Sequence, residues 1–235
     1  MTKLTSALAA EAVGTFALCF VGILAIHQFS DASHGPAGLI GVALAHGLIL
    51  SIMISIFAAT SGGHLNPAVT IGLLVGGKIK AGPAAGYVAA QCVGGILAGF
   101  AVMGIMPHDI ASLTVVQGTP ALGSAAISVY AGCLAELITT FFLVLAVWGT
   151  AVDPRAPKIG GFGIGLTVAA DILAIGPLTG AAMNPARAFG PAIAAALAGE
   201  SYDWAHHWIY WVGPVVGGIL ASVLYTRVIA PKETA

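Results

Sequence analysis

Asn66-Pro67-Ala68 and Asn184-Pro185-Ala186 are the same tripeptide, set once in each half of a very apolar chain and each preceded by a glycine-containing loop. Asn favours the residue that caps a helix N-terminus and Pro fits the first helical position, so each tripeptide marks a loop turning into a helix. The first of these helices runs from Pro67 to about Gly76, where Gly77-Lys78 stops it. At ~1.5 Å per residue it is roughly 15 Å long, half of a hydrocarbon core. Two half-helices at membrane depth constrain the fold more than any other feature.

Membrane depth itself follows from composition. With 58% hydrophobic and 7% charged residues and a mean hydropathy of +0.99, the chain is an integral membrane protein and not a soluble domain. Six stretches are apolar and long enough to cross: about Leu8 to Ile26, Leu39 to Ala59, Ala84 to Met106, Ile127 to Val147, Ile159 to Ile175 and Trp208 to Ile229. The fifth is the shortest. The first reads as a span and not a signal peptide, because Glu11 interrupts it early and no polar mature domain follows.

The net charge of -1 identifies no partner, but the placement of the basic residues orients the chain. Lys3, Lys78, Lys80, Arg155, Lys158, Arg227 and Lys232 precede the first span, lie in the second or fourth connection, or close the sixth span. By the positive-inside rule both termini and those two connections are cytoplasmic, in agreement with an even number of spans. The plasma or inner membrane is the expected location. Cys19, Cys92 and Cys133 all fall inside spans, which argues for small packing residues and against a disulfide framework or metal site. Neither an enzymatic activity, a cofactor nor a nucleic-acid partner is expected.

The halves match at more than the tripeptides. Ala10-Glu11 with Thr15-Phe16 is echoed by Ala135-Glu136 with Thr140-Phe141, and Val93-Gly94-Gly95-Ile96-Leu97-Ala98 returns letter for letter as Val216-Gly217-Gly218-Ile219-Leu220-Ala221. The chain is therefore a single channel domain over 1–235 made by internal duplication, with repeats of about 1–124 and 125–235. Each repeat holds three spans, so the second sits upside down relative to the first. The half-helices then enter from opposite faces, and the loops 60–65 and 178–183 line a path between them, where irregular backbone is tolerated at membrane depth. Free loop carbonyls offer a ladder of acceptors, and two helix N-termini present positive dipole ends to the centre.

Ser61-Gly62-Gly63-His64-Leu65-Asn66-Pro67-Ala68-Val69-Thr70 together with Met183-Asn184-Pro185-Ala186-Arg187 resembles the major intrinsic proteins, the aquaporins and glycerol facilitators, over essentially the whole chain. The resemblance implies an all-α membrane protein of six tilted spans around two re-entrant half-helices, in a right-handed bundle. It also implies a homotetramer with four pores, a lipid bilayer as surroundings, and passive flow of water or small neutral solutes such as ammonia and urea. Carried over by position, it places the narrowest constriction at His46, Ile172, Ala181 and Arg187. This His-Ile-Ala-Arg set is most similar to that of the plant vacuolar-membrane subgroup. Ala188, Ala192 and Tyr210-Trp211 resemble the water-channel branch, although water channels commonly carry Ser at the place of Ala188.

By the same resemblance Asn66 and Asn184 cap the half-helices and donate to the water file, while Arg187 hydrogen-bonds a passing solute and opposes cations. Gly62, Gly63, His64, Gly180, Ala182 and Met183 belong to the pore loops. Glu11 and Glu136 accept hydrogen bonds from backbone N–H groups of those loops, as supports and not proton carriers. Asp171, next to Ile172, points off the pore axis and is expected to hydrogen-bond a neighbouring helix. Gly95-x-x-x-Gly99, Gly161-x-x-x-Gly165 and Gly213-x-x-x-Gly217 read as close helix packing. Two alternatives stay open: a facilitator for glycerol, urea or ammonia, and a proton-coupled transporter with Asp171 as its proton site.

Overall fold

The structure is a computed structural model that describes residues 3–30, 35–123, 127–157 and 159–230. Lys158, Lys232 and the expected repeat boundary at 124/125 lie outside the described residues. Among these residues the chain is helical throughout: α1 Lys3–Phe29, α2 Gly35–Ser61, α3 Pro67–Val75, α4 Ala81–Ile105, α5 Ala111–Gln117, α6 Val129–Val147, α7 Gly160–Thr179, α8 Pro185–Leu197 and α9 Ile209–Leu224. Single π-helical turns, Trp148–Val152 and Tyr225–Ile229, prolong α6 and α9. Six of these segments are long and apolar enough to cross a bilayer.

Several boundaries differ from the sequence expectation, among them that of α1, which begins at Lys3, ahead of Leu8. α2 begins at Gly35, ahead of Leu39, and α7 runs past Ile175 to Thr179 with Pro177 inside it. A proline near a helix end removes a single backbone donor, so the helix continues until Gly180 turns it off at φ 78°. Short α5, unsignalled by any span-length apolar run, buries Ala111, Thr114 and Val115 in the connection between α4 and α6.

Within each half the first span packs against the other two, α1 against α2 and α4, and α6 against α7 and α9. The half-helices cross over. α3 lies against α9 of the other half, and α8 lies against α4. The duplicated Gly-Gly pairs make this approach possible. A Cβ on Gly94 would collide with the Ala12 carbonyl of α1, and one on Gly217 with the Leu137 carbonyl of α6. Their neighbours face the other way: a Cβ on Gly95 would stand 2.7 Å from the Ala186 carbonyl of α8, and one on Gly218 would stand 2.7 Å from the Ala68 carbonyl of α3. One glycine of each pair thus admits a spanning helix of its own half of the chain and the other admits the half-helix of the other half. The other small-residue pairs make close crossings too, with Gly161 against the Ser51 carbonyl and Gly213 against the Cys133 carbonyl, each 2.6 Å from the position of a Cβ.

Candidate functional site: a path between two half-helices

α3 and α8 start alike. Asn66 and Asn184 are extended at φ -158° and -148°, followed by proline at the first helical position. The Asn66 Oδ1 accepts from the Ala68 N–H at 2.8 Å, and the Asn184 Oδ1 accepts from Ala186 at 3.1 Å and Arg187 at 3.3 Å. Their amide groups reach across the molecule. Asn66 Nδ2 donates to the Met183 carbonyl at 2.8 Å, and Asn184 Nδ2 donates to the Leu65 carbonyl at 2.9 Å. Each asparagine thus caps its own half-helix and ties it to the residue before the other. A carboxamide carries two N–H groups, so one remains on each side chain for the cavity that both line.

The loops leading into the caps share a backbone pattern that only tertiary bonds can hold. Gly62 and Gly180 lie at φ 91° and 78°, Gly63 and Ala181 at 63° and 46°, and Leu65 and Met183 at 50° and 49°. The left-handed region costs a residue with a Cβ about 1 kcal/mol or more. The compensating contacts come from two buried acids. Glu11 accepts from Ser61 Oγ at 2.6 Å, His64 N at 3.0 Å, Leu65 N at 2.6 Å and Gln91 Nε2 at 2.7 Å. Glu136 accepts from Thr179 Oγ1 at 2.7 Å, Ala182 N at 2.9 Å and Met183 N at 2.7 Å. The two sets correspond residue for residue, except that Gln91 has no counterpart.

The sequence reading passes over further supports. Tyr87 donates its hydroxyl to the Ser61 carbonyl at 2.8 Å, and Tyr210 donates to the Thr179 carbonyl at 2.7 Å. Each tyrosine stands six residues before a copy of the duplicated Val-Gly-Gly-Ile-Leu-Ala, which is the signal that could have paired them. Ser61 and Thr179, each directly before the first glycine of a loop, also accept from Gly63 N and Ala181 N at 3.1 Å. The Leu65 and Met183 carbonyls are occupied by the asparagine amides, so these two are not free rungs of the acceptor ladder. The carbonyls of Gly62 to His64 and Gly180 to Ala182 have no protein donor among the described residues.

One cavity of about 270 Å³ is lined by His46, Ile172, Ala181 and Arg187, by both asparagines, and by Gly62, Gly63, His64, Ala182 and Met183. At its far end it meets Lys78, Val152 and Gly160. Gly180 lines a second cavity of about 520 Å³ that adjoins the first at Ile172. Pro67, Ala68, Pro185, Ala186, Glu11 and Glu136 are buried behind these walls and do not line the cavity.

His46 and Arg187 meet within the cavity. The His46 Nδ1 donates to the Val42 carbonyl at 2.8 Å, which leaves Nε2 as an acceptor, and an Arg187 Nη lies 3.5 Å from it. Gly22 gives the imidazole its room, since a Cβ there would strike Nε2. Arg187 is 2% exposed, and its other terminal nitrogen has no hydrogen-bond partner among the described residues. Deeper in, Thr70 Oγ1 donates to the Asn66 carbonyl at 2.9 Å and receives Gln91 at 3.0 Å, so the His64 Nδ1 at 3.1 Å must be a donor. The His64 Nε2 is then an acceptor on a residue that lines the cavity. Asp171 is buried and does not line it. Its Oδ2 has no hydrogen-bond partner among the described residues, so the expected bond to a neighbouring helix is not made by that oxygen.

Outside the spans, Asp153 accepts from the Arg155 guanidinium and from Tyr225 Oη at 2.9 Å. The hydrogen bonds from Arg155 hold the Asp153 carboxyl well below the usual carboxylate range. The cysteines are free thiols and none lines the cavity.

Comparison with known proteins shows the family and the fold. The chain is 42% identical over 228 residues to aquaporin TIP4-4 of Zea mays, covering 93% of this chain and 84% of that one. It is also 42% identical over 223 residues to probable aquaporin TIP2-2 of Arabidopsis thaliana, covering 92% and 84%. The solved aquaglyceroporin from Plasmodium falciparum superposes with a TM-score of 0.86 at 28% identity, covering 97% of this chain and 98% of that one. The model of the family described as major intrinsic protein matches residues 1–225, and with relatives at this identity over nearly the full length, the chain belongs to the major intrinsic protein family.

Proposed function

We propose that the protein is a passive channel for water that excludes protons and ions and also passes ammonia or urea. The observation that carries the reading is the one cavity on which Asn66, Asn184, His46 and Arg187 all present hydrogen-bonding groups between largely apolar walls. A file of water needs spaced donors and acceptors and no deep binding site. The residual N–H of each asparagine supplies donors at the centre, the loop carbonyls supply acceptors, and Arg187 supplies the fixed positive charge. Two half-helix N-termini add positive potential where a cation would have to lose its water. Glu11 and Glu136 act as supports for the loops. His46, Ile172, Ala181 and Arg187 form the ring that sets solute size. The relatives named aquaporin support water as the permeant.

The duplication into 1–124 and 125–235, the homotetramer and the cytoplasmic placement of both termini belong to the same proposal, the last resting on the basic residues. Relatives of the TIP type lend no support to the plasma or inner membrane, and that expectation is not carried forward. A second reading, a glycerol facilitator, is favoured by the structural match to the aquaglyceroporin from Plasmodium falciparum.

The test is stopped-flow osmotic response of proteoliposomes in sucrose, glycerol, urea and an ammonium salt, with proton and alkali-cation leak measured alongside. Water flux without ion leak is expected, and glycerol flux comparable to water would favour the facilitator. Replacing Ala181 by Phe should lower solute flux more than water flux, whereas His46→Ala should raise solute flux. An unchanged solute-to-water ratio in both variants would remove these residues from the filter.

A further inference from the structure

The far end of the cavity carries a cation that the functional reading leaves unused. Lys78 lines the cavity beside Ala151, Val152 and Gly160, and its Nζ lies 5.5 Å from the centre of the Trp148 ring. Its backbone is fixed as well, because the turn that ends α3 places Gly77 at φ 74° and closes a bond from Lys78 N to the Leu73 carbonyl at 2.8 Å. The indole is held from two sides. Trp148 Nε1 donates to Ser222 Oγ at 2.9 Å, and the ring stacks on Tyr225 at 5.5 Å between centroids. A lysine on a loop would ordinarily trail into solvent, and an aromatic face within about 6 Å of the ammonium gives it a preferred position instead. The adjacent charges largely cancel, since Asp153 and Arg155 are paired with each other.

We infer that Lys78, held at this mouth by Trp148, is a second charge barrier that acts at the opposite end of the path from Arg187. The inference rests on the channel reading and adds a specificity-determining residue to it. A fixed positive charge at a low-dielectric mouth depletes cations there and enriches anions, while leaving neutral molecules unaffected. With Arg187 and Lys78 at opposite ends, the path favours the neutral member of an acid–base pair such as ammonia over ammonium, whichever side the solute enters from.

The potential at the mouth is measurable without any flux. Ala151, exposed on the cavity wall, is replaced by Cys in a chain whose own cysteines are replaced by Ala. The purified protein in nanodiscs, with both faces open, is reacted with a positively charged and a negatively charged methanethiosulfonate. The anionic reagent should be favoured, and Lys78→Gln should lower the anion-to-cation rate ratio about tenfold, as a local potential of roughly one kT implies. Trp148→Leu, which keeps the lysine but frees it, should lower the ratio about threefold; Trp148→Phe, which keeps an aromatic face, should stay near the parent. Lys80→Gln, an exposed lysine off the cavity wall, should leave the ratio within about 1.5-fold. A ratio unmoved by Lys78→Gln, or moved equally by Lys80→Gln, overturns the inference. So does a folded Trp148→Leu protein indistinguishable from the parent, and if that variant does not fold, the Lys78 and Lys80 pair decides. Water permeability of the parent is recorded in parallel, so absence of water flux sinks the channel reading while the rate ratio still judges the lysine.

Discussion

Glu11 and Glu136 occupy equivalent places but differ in what surrounds them. Both are fully buried acceptors for loop donors, yet only Glu11 also receives a side-chain amide, that of Gln91, whose own Oε1 has no partner among the described residues. A glutamine at either position sets N–H groups against N–H groups, which should cost about 1–3 kcal/mol. In Glu11→Gln the Gln91 amide can turn over and offer its idle oxygen to the new NH2. No such neighbour serves position 136. Glu136→Gln should therefore be the more damaging by about 1 kcal/mol, read as the lower thermal midpoint of the purified protein. Equal midpoints would mean that Gln91 does not adapt.

At the scale of elements, the two Gly-Gly pairs make a graded set. An alanine at Gly95 or Gly218 would press on the carbonyl of Ala186 or Ala68 at the start of a half-helix, whereas Gly104 has nothing within 4 Å of a Cβ. Gly95→Ala and Gly218→Ala should each destabilise by about 1–3 kcal/mol, and Gly104→Ala should be neutral or slightly stabilising. Thermal midpoints of the three variants check the order. The turn after α6 offers a pH test. Because its hydrogen bonds hold the Asp153 carboxyl low, whatever stability its link to Tyr225 gives is fully present above the ordinary aspartate value near ~4 and is lost only as pH falls through the depressed value. The midpoint difference between parent and Asp153→Asn should be the same at pH 7 and pH 5 and should shrink at pH 3 and below. Elements of this kind were unequally legible. The spans announce themselves through hydropathy and the half-helices through Asn, Pro and the Gly77 stop. Backbone at Leu65 and Met183 has no local signature, because it is imposed by acids that lie 54 and 47 residues away in the chain. Tyr87 and Gln91 escaped for the same reason, since an aromatic or an amide in a span looks like packing until its partner is known.

For the whole molecule, the crossing of each half-helix into the other repeat joins two halves that are alike in sequence but incomplete alone. If the division near residue 124 is sound, residues 1–124 expressed alone should be degraded or aggregated, and co-expression with 125–235 should recover an assembled protein that shrinks liposomes under an osmotic gradient. Recovery of either half as a stable, monodisperse species would contradict the mutual dependence. The inverted duplication is part of the proposal, argued from three spans per copy, but the cross-ties from Asn66 and Asn184 carry no signal in the sequence, since each joins residues that sequence spacing cannot relate. Those ties also impose a schedule on synthesis. Asn66 finds its acceptor at Met183, 117 residues further on. At about 5–20 residues per second the ribosome needs roughly 6–25 seconds to make that partner. During that interval the first half-helix has neither the Met183 carbonyl nor the Gly218 surface of α9 to rest on, so the newborn chain must shelter a polar loop by some other contact until its last span arrives.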